Sequence, residues 1–358
     1  MTRCDPVRIA FLDVGQGDSS VIHEKNKHEA VIVDCCDANA VLSYLQHNQL
    51  QRIRGLIITH LHSDHCRGVP ELLSNATCEE VLCLFPETRL AEKLMLLRDP
   101  DGHSDLAHVS NSDERTRRSL LTELVYWTQN NRHNYKRLTK QVGQPIIPMP
   151  EIIELVHPWE VDVPELLLTG LNNTSAVLKI RGLKSSALLM GDLEPQGWQL
   201  LKKYATNLRS DVLKFPHHGG WRNGDPEELL DVVAPSIVVI SVGTSGSRFD
   251  HPNLRVLDAI SEHSDVRLLC TQATEKCSKV LAQTRSAVVT LFEAESRNEN
   301  VFFVEQLGCP CAGTVVVELG NSVEIIQPTK YFHHDTVIHG YFSDDHKCLV
   351  NAEVFSDD

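Results

Sequence analysis

The chain has 358 residues, 42% of them hydrophobic and 23% charged, enough to bury one large core or two modest ones, which excludes a small scaffold held by disulfide staples. Lys and Arg number 34 against 48 Asp and Glu, a net charge of −14, so the surface as a whole repels nucleic acid and only locally concentrated positive charge could bind it. No apolar run approaches the length of a membrane span, and the N-terminal segment lacks the features of a signal peptide, so the expectation is a soluble, cytoplasmic protein with no membrane contact.

In chain order, short runs rich in Val, Ile and Leu, most of them closed by Asp, Gly or His, predict buried strands at 8–15, 30–34, 55–60, 81–85, 187–192, 211–218 and 236–243. A hairpin turn is expected across Gly15, Gln16, Gly17 and Asp18. Helical segments opened by Asp or Pro are expected at 38–49, 195–204, 226–233 and 253–263. Alternating strands and helices with hairpins among them predict a layered α/β architecture. Residues 87–150 break the rhythm: they are polar and helical in composition, with Tyr126 and Trp127 among Arg115, Arg117, Arg118, Lys136 and Arg137, and are read as an inserted helical subdomain. Strand-like runs at 287–293, 301–306, 313–319 and 322–327 predict a β-rich C-terminal extension, giving a main α/β domain over 1–265 and an extension over 266–358.

Positive charge is concentrated at 113–140, with seven basic and three acidic residues, and at 201–222, with five basic and one acidic; a solvated helical face is the plainer explanation of each. Eleven cysteines, an odd number that includes the adjacent Cys35 and Cys36, argue against a secreted disulfide framework and for reduced thiols or metal ligands. Cys270 and Cys277 with Cys309 and Cys311 could form a structural zinc site stapling two C-terminal hairpins.

The densest chemistry follows the strand at 55–60. His60, His62, Asp64 and His65 lie within six residues, a nitrogen and oxygen donor set suited to Zn, Mn or Fe. A loop leaving a buried strand lets the four converge, whereas a helix would point His60 and His62 to different faces. Further donors stand at other strand ends: Asp192 after the run at 187–191, and His217 and His218 after 211–216. Asp192 alone could be a helix cap; beside the histidine loop it reads as a bridging carboxylate. Asp34 could accept a hydrogen bond from a ligand histidine and fix its tautomer. His251 could meet a phosphate or leaving group.

The ordered set of Asp34, His60, His62, Asp64, His65, Asp192 and the His217/His218 pair resembles the metallo-β-lactamase fold family. More narrowly, FLDVGQGDSSVI (11–22), NNTSAVL (172–178), LLMGDLE (188–194), VLKFPHHGG (212–220) and DHPN (250–253) look like the metallo-hydrolase domain of the ComEC-type DNA-uptake channel and its stand-alone relatives. The resemblance spans about 7–262. It implies a four-layer αββα sandwich with two divalent metal ions, Zn or Mn, at one edge. His60 and His62 would hold the first and Asp64, His65 and one of the paired histidines, taken as His217, the second. Asp192 would bridge them, with Asp18, Asp34 and Asn173 in support. Where many relatives carry another histidine ligand, this chain has Leu171, Asn172, Asn173, Thr174 and Ser175, a departure shared with the ComEC-type subgroup that makes Mn a serious candidate; His157 could substitute or be a satisfied loop histidine. None of the channel's membrane helices is present, so only the hydrolytic module is expected.

The chemistry implied is phosphodiester hydrolysis, foremost as a nuclease using a hydroxide bridged between two metals. Asp64 and Asp192 would hold the metals, His218 or His251 would serve the leaving oxygen, and Lys214 and Arg222 would bind substrate phosphate. The alternatives are a cyclic nucleotide or other small-molecule phosphodiesterase, and a non-catalytic metal-containing binding or regulatory module.

Overall fold

The computed structural model describes residues 5–84, 135–140, 147–205, 207–244, 249–278, 281–298 and 301–342. Fourteen strands are described: β1 (Val7–Phe11), β2 (Ser19–Glu24), β3 (Glu29–Cys35), β4 (Arg52–Ile58), β5 (Val81–Cys83), β6 (Tyr135–Arg137), β7 (Ile153–His157), β8 (Val177–Arg181), β9 (Ser186–Leu189), β10 (Val212–Lys214), β11 (Ile237–Ile240), β12 (Arg267–Cys270), β13 (Val315–Leu319) and β14 (Val323–Gln327). Their order is β14-β13-β1-β2-β3-β4-β5-β6 in one sheet and β12-β11-β10-β9-β8-β7 in the other. Among the described residues the α-helices are α1 (Ala38–His47), α2 (Ser63–Cys66), α3 (Val69–Asn75), α4 (Val163–Thr169), α5 (Pro195–Tyr204), α6 (Pro226–Val233), α7 (Leu254–Glu262), α8 (Leu281–Arg297) and α9 (His339–Tyr341), the last following a π-helical stretch at Tyr331–Ile338.

Side-chain alternation along each strand sorts residues into layers. Phe11, Val33 and Ile57 point inward from the first sheet to meet Leu178, Leu189 and Val239 of the second. Their neighbours Leu12, Ile32 and Ile58 face the other way, onto Val41 and Tyr44 of α1 and Leu72 of α3. On the far side of the second sheet, Leu188, Leu213 and Val238 pack beneath Trp198 of α5, Leu229 of α6, Val256 of α7 and Phe292 of α8. The expected αββα sandwich is therefore present. Helix starts follow from local chemistry: Asp37, Asp225 and Asn253 each accept a backbone N–H of the first turn of α1, α6 and α7, and α5 and α6 open on proline.

Two readings of the C-terminal region need correction. The run 287–293 lies in α8, because Val288 and Phe292, four residues apart, bury one helical face against the core. Residues 301–306 form no strand. The strands that do form, β13 and β14, extend the first sheet by antiparallel pairing of β13 with β1, while β12 extends the second. The boundary drawn at 265/266 therefore does not separate two independently paired units.

The expected helical insertion at 87–150 lies almost wholly outside the described residues, as do Arg115, Arg117, Arg118, Tyr126 and Trp127. Its described portion includes β6 in place of a helix, and Lys136 and Arg137 there are ion-paired with Glu80 and Glu160. Among the described residues no helix is long and apolar enough to cross a membrane.

Candidate metal centre

Parallel pairing of β3 with β4 and of β9 with β10 places the loops that follow these strands on one edge of the sandwich. Asp34, near the end of β3, adopts a left-handed backbone at φ 58°, and His217 and His218 beyond β10 both sit at φ 52°. Non-glycine residues held there are strained, which is typical of functional sites. The β1–β2 turn joins them: the Asp18 N–H donates to the Asp64 carbonyl at 2.9 Å. Gly17 permits that approach, since a Cβ there would lie 2.4 Å from the same carbonyl oxygen.

Two groups of donors result. Asp18, His65, Asp192 and His218 form one; His60, His62 and Asp192 form the other, with the donor atoms of each group within 4.8 Å of one another. Asp192 belongs to both. Its Oδ1 is 3.1 Å from His65 Nε2, and its Oδ2 is 3.8 Å from His60 Nε2 and 3.6 Å from His218 Nε2. Asp64, with a side chain 30% exposed, places Oδ2 3.3 Å from His218 Nε2, at the rim of the first group.

The supporting shell fixes these rings. The Asp34 carboxylate accepts from His65 Nδ1 at 2.8 Å and from the Thr59 N–H and hydroxyl at 2.7 and 2.8 Å, as expected from sequence. His218 Nδ1 donates to the Ser241 carbonyl at 2.7 Å. Each imidazole thus turns Nε2 toward the site. Ser175, which sequence reasoning did not single out, accepts the Asp192 N–H at 3.1 Å and places its hydroxyl 3.3 Å from His60 Nδ1.

Electrostatics favour cations here. Burial, then His65 and His62, push His60 well below its ordinary pKa, leaving a neutral ring with a lone pair. Burial disfavours the charged form of His65, but Asp192 and Asp34 outweigh it and carry the pKa well above the usual range. His218, also opposed by burial, is raised to about 9 by Asp192 and its hydrogen bond with Asp64. Burial would likewise raise Asp192, yet His65 and His218 hold it well below. At this site the carboxylates of Asp18, Asp34, Asp64 and Asp192 outnumber the buried ammonium of Lys214, so protons collect on the imidazoles that a cation would displace.

The residues fit divalent metal ions. Asp18 Oδ1 is buried without a hydrogen-bond partner, and Asp18 Oδ2, Asp192 Oδ1 and the Nε2 atoms of His65 and His218 face Lys214, Asp64 and one another, a crowding of donors that a cation would satisfy. Imidazole and carboxylate donors suit Zn or Mn.

Several expected roles change. His218, not His217, joins the metal donors, because the left-handed turn sends His217 outward; its Nδ1 is 3.6 Å from Glu194 and its Nε2 3.4 Å from Asn172 Nδ2. His218 is consequently committed to the donor group rather than free to serve a leaving oxygen. Asp18 joins a candidate donor group with His65, Asp192 and His218, not only the supporting residues. Lys214 is buried with Nζ 2.5 Å from Asp18 Oδ2, so it neutralises Asp18 rather than binding phosphate. Asn173 is turned away: its side chain accepts the Gly197 N–H and donates to the Thr169 carbonyl. His157, pushed by burial to about 4, donates Nε2–H to the Asn173 carbonyl and supplies no metal donor. Arg222 keeps an exposed place next to the paired-histidine loop, donating from Nη2 to the Phe249 carbonyl. His251 is buried beside the paired histidines, its ring centroid 4.9 Å from that of His217 and 5.9 Å from that of His218.

The proposed cysteine site does not assemble: among the described residues Cys270, Cys277, Cys309 and Cys311 form no metal-competent group. Cys277 Sγ turns to the Thr274 carbonyl and Cys311 Sγ to His333 Nε2, so their sulfurs have different partners.

Comparison with known proteins accords with this geometry. The family described as the metallo-beta-lactamase superfamily matches residues 12–224. ComE operon protein 3 of Bacillus subtilis is 24% identical over 285 residues, 74% of this chain and 31% of that protein. The hydroxyacylglutathione hydrolase of Shewanella loihica is 46% identical over 52 residues, 14% of this chain and 20% of that one. The chain therefore spans less than a third of the length of each. Among solved structures, the metal-dependent hydrolase Tm1679 has 12% identity, covering 74% of this chain and 95% of its own at a TM-score of 0.39; YhfI from Bacillus subtilis has 11%, covering 66% and 85% at 0.33. With its family match spanning more than half its length, the chain belongs to the metallo-β-lactamase superfamily.

Proposed function

We propose that this chain is a metal-dependent phosphodiester hydrolase acting on nucleic acid, that is, a nuclease. The observation that carries the reading is the pair of donor groups sharing Asp192. A pair of divalent cations, when bound, acidifies water and neutralises charge on phosphoryl oxygens. His60, His62 and Asp192 would hold one ion, and Asp18, His65, His218 and Asp192 the other, with Asp64 beside them. Asp34 keeps the His65 Nδ1 proton in place, and the Ser241 carbonyl does the same for His218. His251, neutral because burial and the neighbouring His217 and His218 pull its pKa down to about 3, can offer a ring N–H to an oxygen of the substrate without adding charge. The motif resemblance to the DNA-uptake family favours a polymer substrate.

A second reading, hydrolysis of a cyclic nucleotide or other small phosphodiester, is favoured by how the described basic residues are used. Lys214, Lys136, Arg137 and Lys202 are paired with Asp18, Glu80, Glu160 and Glu228, and a compact ligand needs only a local pocket. The test is cleavage of single- and double-stranded DNA, RNA and cyclic nucleotides by protein supplied with Mn or Zn, across a range of salt. A nuclease loses affinity steeply with salt and a small-molecule enzyme loses little; no metal-dependent cleavage of any phosphodiester would refute both.

A further inference from the structure

Next to the buried histidines of the metal centre lies an exposed aromatic ring that the chemistry so far leaves without a task. Phe249 is 52% exposed, and its ring centroid is 6.1 Å from that of His251, whose own ring lies next to His217 and His218. An exposed phenylalanine on a loose loop would mean little. This one stands on a braced turn. Arg222 Nη2 donates to the Phe249 carbonyl at 3.1 Å. The next residue, Asp250, has a left-handed backbone at φ 61°, and its carboxylate takes Lys276 Nζ at 2.5 Å and Asn253 Nδ2 at 2.9 Å. The Asn253 N–H in turn donates to the Gly219 carbonyl, tying the turn to the His217/His218 loop. His251 also lies close against backbone: a Cβ on Gly220 would come 2.2 Å from its Nε2.

We propose that Phe249 is a stacking platform for the nucleobase next to the scissile phosphate, with Arg222 beside it facing the phosphate chain. This deepens the nuclease reading and rests on it. A rigid, solvent-facing aromatic one ring away from a donor histidine offers a π-face at small ordering cost, and every base has a face to match it. The guanidinium supplies complementary charge while its tie to the Phe249 carbonyl keeps ring and charge together. The ligand chemistry is a base attached to a phosphodiester, found in a polymer strand and in a free nucleotide; the arms of the test separate the two.

The experiment measures kcat and KM for Phe249→Ala and Phe249→Trp on a short single-stranded DNA, on the same strand with one abasic position, and on a cyclic nucleotide. Affinity for an uncleavable phosphorothioate strand is read alongside. Phe249→Ala is expected to raise KM and weaken phosphorothioate binding roughly tenfold on base-bearing substrate while kcat changes little. It should lose the preference for the intact over the abasic strand, and Phe249→Trp should restore it. A response on the strand and none on the cyclic nucleotide assigns the platform to polymer; a response on both assigns it to the nucleotide unit. Equal behaviour of Phe249→Ala and wild type on intact and abasic strands would overturn the platform while leaving the hydrolase intact. Absence of wild-type cleavage on every substrate would overturn the hydrolase reading itself, and the platform with it.

Discussion

The ammonium of Lys214 lies 2.5 Å from Oδ2 of Asp18, with both side chains almost fully buried. Asp18 is a donor in the group that includes His65, Asp192 and His218, so its charge has two claimants, the lysine and a bound cation. Lys214→Met strands a buried carboxylate, a change that costs about 3–5 kcal/mol where nothing else neutralises the charge. With metal bound the cation takes over that task. The melting temperature should therefore fall sharply in chelator and much less in Mn or Zn. An equal fall in both conditions would show that Asp18 does not face the metal.

Asp34 should matter for metal affinity and little for the backbone. Its left-handed conformation suits asparagine as well as aspartate, so Asp34→Asn keeps the turn and removes the negative charge that orients His65. Metal affinity should drop about 10–100-fold, read by competition with a chromogenic chelator. Unchanged affinity would mean that His65 is positioned by packing alone.

Asp13 offers a pH test away from the metal donors. Burial raises its pKa to about 7, although it accepts hydrogen bonds from the Gly15 N–H and Gln272 Nε2. Its folded pKa exceeds the unfolded value of about 3.9, so its contribution to stability is fully present below pH ~4 and is lost as pH rises through about 7. The loss is on the order of 4 kcal/mol. Asp13→Asn keeps the acceptor oxygen and does not titrate. The stability of Asp13→Asn in urea relative to wild type should increase from pH 4 to about pH 7 and level off above it, whereas a difference independent of pH would show that the fold does not raise the Asp13 pKa.

Cys309→Ser should leave the number of bound ions unchanged, because the four C-terminal cysteines do not gather into a donor set. Loss of one equivalent of zinc in this variant, measured by elemental analysis, would reinstate a cysteine site there.

The architecture was readable wherever local signals agreed with packing. The runs ending at Asp34 and His60 became β3 and β4, and α5 and α6 begin at the prolines that mark them. The histidine loop announced itself because His60, His62 and His65 leave a buried strand together. What sequence could not supply was direction. His217 and His218 are adjacent and chemically identical, and only the paired left-handed backbone, which aims one inward and the other outward, tells them apart. Lys214 looked like a phosphate binder because its partner, Asp18, lies almost two hundred positions away and reaches it only through the sandwich. Ser175 lies in the NNTSAVL run, but the run does not say which of its side chains faces the site; its hydroxyl matters because the Asp192 loop folds back on it. At 287–293 the valines and phenylalanine suggested a strand, and their four-residue spacing, which favours a helix, was the overlooked signal.

The most direct test of the account is the number of divalent ions bound per chain, by mass spectrometry of dialysed Mn- or Zn-loaded protein, in wild type and in Asp192→Asn. One carboxylate serving two donor groups predicts about two ions in wild type and a loss reaching beyond a single site in the variant. A wild type that holds no more than one ion, or a variant that keeps the full complement, would contradict the shared-carboxylate centre on which the proposed hydrolysis depends.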